Sequence, residues 1–175
     1  GSSRSFTNSL SFRWDVRPGL FVNGTGTIVT SKERTEVFYS PESNVFKDAT
    51  NRSEQGSLLI GNKQYLRYEG RVVVNYAQNF GENFLLTLHG GADIMKETTT
   101  KDGYTAYGFY KSSLHAPNFA AGFGEGTRPT GSEEISTSIG PFVNANFIVK
   151  NRYFVDGSFR RSGSSKFGDK NRFAP

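Results

Sequence analysis

Two histidines and a few nearby carboxylates are where acid–base or metal chemistry would begin in this 175-residue sequence. His89 and Asp93 stand four residues apart, so an extended chain puts both on one face; His115 is isolated from them. No further ligand follows at a metal-binding spacing, and the two read as a polar pair on a strand rather than a catalytic dyad. Glu133 and Glu134 adjoin, which directs them to opposite faces of a strand and suits no acid–base pair. The absence of Cys removes thiolate chemistry, disulfides and cysteine metal sites. The run Gly122-Phe123-Gly124-Glu125-Gly126 is glycine-rich but has neither Walker nor dinucleotide-binding spacing. The sequence therefore predicts no enzyme and no cofactor. What is left is recognition. Tyr104, Tyr107, Phe109 and Tyr110 carry rings suited to stacking on sugars, or equally to covering loop surface. Arg160 and Arg161, with Lys166, suit an acidic ligand or, more simply, the solvated base of a loop.

Composition restricts the scaffold that positions these groups. Apolar residues make up 35% of the chain, while Gly reaches 20, Phe 16 and Tyr 8. High glycine and aromatic content with little Leu or Ile argues against packed helices and for strands with an aromatic apolar face. The net charge of +5 is spread along the chain and gathers only at Arg160, Arg161, Lys166, Lys170 and Arg172, which predicts no nucleic-acid partner. No run of 18 apolar residues suggests a transmembrane helix; membrane strands carry a much weaker, alternating signal.

That alternation is present. From Leu10 to Val16 every second residue is apolar and Ser9, Ser11, Arg13 and Asp15 take the other face; Leu66, Tyr68, Val72, Val74 and Tyr76 repeat the pattern against Lys63, Arg67, Glu69 and Arg71. Read this way, the chain has strands at 4–16, 20–31, 63–78, 84–96, 134–149 and 153–161, with Pro141 implying an edge position or a bulge in the fifth. Short turns at 17–19, 79–83 and 150–152 alternate with long polar loops at 32–62 and 97–133, and a further loop is expected after Arg161. Leu58-Leu59-Ile60 reads as a stub of strand, and 104–110 as a short hairpin arm. Strands this long, with connections alternately short and long, describe an all-β, antiparallel up-and-down meander, a segment of a transmembrane β-barrel. A soluble β-sandwich or adhesin-like carbohydrate- or protein-binding module is the alternative; it needs two facing sheets around a closed core.

Two stretches resemble a known family. Tyr153-Phe154-Val155-Asp156-Gly157-Ser158-Phe159-Arg160-Arg161-Ser162-Gly163-Ser164-Ser165-Lys166-Phe167-Gly168, continuing through Asp169-Lys170-Asn171-Arg172-Phe173-Ala174-Pro175, resembles a recurrent strand-and-loop signature of SusC/RagA-type TonB-dependent outer-membrane transporters. Trp14-Asp15-Val16-Arg17-Pro18-Gly19-Leu20, followed by Phe38-Tyr39-Ser40-Pro41, resembles a hairpin and outward loop of the same family. The resemblance implies that residues 1–175 are a mid-barrel portion, without the plug domain, of a barrel of about 22 strands. It also implies an outer-membrane location, import of glycans or peptide fragments, and as partners a SusD-like surface lipoprotein, the TonB complex and membrane lipid. In such a barrel the apolar faces meet lipid and the polar faces line the interior or touch the plug.

Overall fold

A computed structural model of the chain describes residues 1–124, 127–150, 152–165 and 173–174. Its strands are β1 (Ser2–Arg17), β2 (Leu20–Tyr39), β3 (Ser57–Phe80), β4 (Phe84–Tyr107), β5 (Gly122–Phe123), β6 (Thr130–Val149), β7 (Tyr153–Arg160), β8 (Ser162–Ser164) and β9 (Phe173–Ala174). They form one nine-stranded sheet in the order β1-β2-β3-β4-β6-β8-β9, with β5 beside β4 and β7 beside β6. This is the expected all-β meander. The two facing sheets that a sandwich requires are replaced among the described residues by a single sheet.

The strands run past the bounds expected from alternation. β2 continues to Tyr39, β3 begins at Ser57, β4 reaches Tyr107 and β6 begins at Thr130, so the long connections shrink to 40–56 and 108–129. The reason lies in the added segments. Lys32, Glu33, Arg34, Thr35 and Glu36 put polar side chains on both faces of β2, and Lys96 to Asp102 do the same on β4. A strand wetted on both sides loses the period-two contrast while keeping its backbone ladder. The expected hairpin arm at 104–110 is divided: Tyr104 to Tyr107 end β4, and Ala106 and Tyr107 pair with Phe123 and Gly122 of β5.

Pro141 sits on neither an edge nor a simple bulge. β6 lies between β4 and the β7–β8 line, and the register is unbroken on both sides of the proline: Phe142 opposes Arg160 and Ile139 opposes Gly163. The Pro141 carbonyl accepts the Arg161 N–H at 3.0 Å. Its carbonyl therefore faces that neighbour, and the missing N–H is the one that would complete the pair; the partner strand is interrupted there, between β7 and β8. Ser162–Ser164 accordingly continues the sheet where a loop was expected to start. Lys166, Phe167, Gly168, Lys170 and Arg172 lie outside the described residues.

The chain divides into two compact units. The first comprises Gly1–Phe6, Thr30–Tyr65 and Thr99–Glu134. It holds both long connections, each braced by short 3₁₀ turns at Asn44–Phe46, Arg52–Glu54 and Pro117–Phe119. Its apolar centre is small: Leu58, Ile60, Ala106 and Phe109 are buried, with Phe38, Tyr104 and Ala120 packed against them. Gly56, at φ +73°, turns the chain into this centre where a Cβ would lie 3.0 Å from Phe109 and 3.2 Å from Pro41.

The second unit comprises Thr7–Val29, Leu66–Thr98 and Ile135–Pro175. It holds the three tight turns. Gly19, at φ +76°, accepts the Ala77 N–H at 2.7 Å, and Lys150, at φ 53°, donates its N–H to Asn83 at 2.6 Å. Many of its apolar side chains are not covered. Leu10, Phe12, Trp14 and Val16 of β1, Tyr68, Val72 and Val74 of β3, and Ile135, Ile139 and Val143 of β6 all stand exposed, Trp14 at 63%. The β6–β7 register lines these rows up, Val143 against Phe159 and Phe147 against Val155, while Asn144 and Asn146 face Ser158 and Asp156 on the other side. Phe12 lies directly over Gly24 of β2, where any Cβ would collide with its ring.

Candidate functional site

In the second unit the polar face carries a network of charges. Arg71 of β3 donates Nε to Asp93 of β4 at 2.5 Å, and Arg160 of β7 donates Nη2 to the other Asp93 oxygen at 3.0 Å. Arg160 reaches β4 by crossing β6, since β6 pairs with both β4 and β7. It crosses at Gly140, where a Cβ would sit 3.2 Å from Nη2. Gly91 instead permits a close approach of main chains: a Cβ there would meet Val72 O at 2.2 Å and the Phe142 ring at 3.1 Å. Arg67 pairs with Glu69 at 2.6 Å and lies 4.0 Å from Glu97. His89 does not turn to Asp93. Its Nδ1 is 2.6 Å from the Oδ1 of buried Asn75, and Asp93 is taken by two arginines, so the expected polar pair is split between two neighbours. Among the described residues no three of His, Asp and Glu come together as metal ligands would.

In the first unit the aromatic residues singled out from sequence part company. Phe109 is 2% exposed and meets Phe38 edge-on at 5.2 Å; it is a core residue with no free ring face. Tyr104 is half-buried and edge-on to Phe123 at 5.7 Å, and it shares with Tyr107 a depression of about 510 Å³ that includes Leu59 and Arg128. Tyr110 stays 68% exposed, with the Arg52 guanidinium 5.1 Å and the Lys111 ammonium 6.0 Å from its ring centre. Tyr110 and Arg52 border a cavity of about 300 Å³ with Glu42, whose carboxyl the Ser40 hydroxyl, with the backbone at Glu42 and Ser112, holds below its ordinary range.

The two arginines also separate in role: Arg160 joins the Asp93 pair, and Arg161 gives its main-chain N–H to Pro141. Arg71, Asn75, Gly140 and Arg52 were not singled out from sequence. Arg71 was legible as a charge on the polar face, but Gly140 carries no local signal, because its role is set by a side chain from another strand.

No family model and no curated protein matches the chain. Solved structures do. Over 98% of this chain, the structure of the RagAB peptide transporter superposes with a TM-score of 0.84 at 17% identity. The RagAB peptide importer superposes over the same share with TM-scores of 0.83 in its closed-closed state, at 18% identity, and 0.78 in its open-open state, at 16%. The chain spans 19% of the length of each of these proteins. The fold is therefore the antiparallel all-β meander found in a segment of those chains, the fold class expected from the sequence.

Proposed function

We propose that this chain forms part of the barrel wall of an outer-membrane, TonB-dependent importer, and that its cargo is peptide rather than glycan. One observation carries the reading: an exposed apolar band on strands whose other face is charged and ion-paired. In water such a band is a liability; against lipid it is the surface a barrel needs. A crossing takes about 9–11 residues per strand, so strands of 20 and 24 residues leave the doubly polar ends of β2 and β4 outside the lipid. On this reading the Arg71–Asp93–Arg160 network faces the interior, and a SusD-like lipoprotein and the TonB complex are the partners.

The preference for peptide rests on chemistry as well as on the cargo of the RagAB structures. Sugar recognition favours free aromatic faces, and here Phe109 is buried, Tyr104 meets Phe123 and Tyr110 is flanked by cations. Charges of both signs on the polar face suit a zwitterion. Deleting the gene that carries this sequence should abolish TonB-dependent uptake of short peptides and leave oligosaccharide uptake intact. Recovery of the protein from the soluble fraction, or loss of oligosaccharide uptake alone, would overturn the proposal.

A further inference from the structure

We propose that a glycine-floored groove in the first unit binds the charged ends of a short peptide, Lys63 and Lys101 taking its carboxylate and Glu33 its ammonium. This rests on the peptide-import reading above and names where that cargo is held. Three neighbouring strands present glycine at one level: Gly61 on β3, Gly103 on β4 and Gly131 on β6. Gly103 must be glycine, since a Cβ would lie 2.8 Å from Ile60 O, and the Thr130 hydroxyl fixes its carbonyl at 3.3 Å. At Gly61 a Cβ would meet nothing within 4 Å, so its backbone opens onto the groove. The result is a trough of about 470 Å³ bordered by Glu33, Lys63, Lys101 and Asp102, within the ~300–1,000 Å³ usual for ligand pockets. A second depression of about 430 Å³ shares Glu33, Lys63 and Lys101 and extends the trough to Ser31, Tyr65, Thr99 and the carboxylate of Glu134.

The charges in the trough mark it as a site. Asp102 accepts from Asn62 Nδ2 at 2.8 Å. Among the described residues Glu33, Lys63 and Lys101 make no ion pair or hydrogen bond, although they border one cavity with opposite signs. Elsewhere in the chain Arg13 pairs with Asp15, Arg34 with Glu36 and Arg71 with Asp93. A simple anion would be opposed by Glu33 and Glu134, and a simple cation by the two lysines. A molecule with a carboxylate at one end and an ammonium at the other satisfies both, and the bare glycine floor leaves room for its main chain.

The test uses the intact outer-membrane protein, purified in detergent, and a tripeptide mixture in free, C-amidated and N-acetylated forms. Wild-type protein should bind the free form roughly tenfold tighter than either blocked form, the scale of one charge-assisted contact. The K63Q/K101Q variant should lose the preference over the amide while binding the amide unchanged, and K63R/K101R should keep it. E33Q should lose only the preference over the N-acetyl form. The unchanged affinity for the blocked peptide reports that each variant is folded. Equal binding of all three forms by wild type, or preferences that survive in K63Q/K101Q and E33Q, would overturn the groove assignment. If cells import peptides under either result, the transport proposal stands without it; if they import none, both fall.

Discussion

Arg160 Nη2 meets Asp93 Oδ2 at 3.0 Å although β6 separates their strands. The contact exists because residue 140 has no side chain to block it. Asp93→Asn should lower stability by about 1 kcal/mol, since Arg71 and Arg160 are both 57% exposed and solvent screens them. In a double-mutant cycle, Asp93→Asn and Arg160→Gln should couple in wild type and not in a Gly140→Val background. Urea-induced unfolding in lipid vesicles measures all of these; equal coupling in both backgrounds would show that the path over Gly140 is irrelevant.

Phe109, a ring suited by sequence either to stacking on sugars or to covering loop surface, is a core residue. Phe109→Ala should cost its small centre about 3–5 kcal/mol. Trypsin should then cut at Arg52 and Lys111 far faster, with the strands of the second unit still protected. Unchanged cleavage together with weakened ligand binding would restore the ring's role as a contact.

Lys150 holds a left-handed conformation, at φ 53°, that costs a non-glycine residue about 1–3 kcal/mol. Lys150→Gly should raise the unfolding midpoint and Lys150→Val should lower it. A drop with glycine would mean that the lysine side chain matters more than the backbone strain.

Val143 and Asn144 are adjacent and point to opposite faces, opposing Phe159 and Ser158. If the apolar band faces lipid, Val143→Arg should cost up to about 2–4 kcal/mol near mid-bilayer and reduce membrane insertion. Asn144→Arg should insert normally. Equal tolerance at the two positions would contradict the membrane orientation.

The sequence made some of this legible and hid the rest, for identifiable reasons. Alternation located the strands wherever one face met an apolar surrounding, as from Leu10 to Val16 and from Leu66 to Tyr76. It ended where both faces turned polar, as at Lys32 and Lys96, although the ladders continue. The turn at Pro18-Gly19 was readable because its residues dictate its conformation. The fate of Phe109, the reach of Arg160 over Gly140 and the split between His89 and Asp93 were not, because each is decided by a residue on another strand. The same holds for the interruption opposite Pro141: the missing N–H was visible, but the strand that lacks its partner was not.

Trp14 is the sole tryptophan among these 175 residues, and it stands on the exposed apolar row of β1. With any tryptophans elsewhere in the protein replaced by phenylalanine, its indole is an optical reporter for that face. In vesicles containing brominated acyl chains its emission should be blue-shifted and quenched, while iodide in the aqueous phase should leave it bright. The depth at which quenching peaks would place β1 against the bilayer without labelling a single residue.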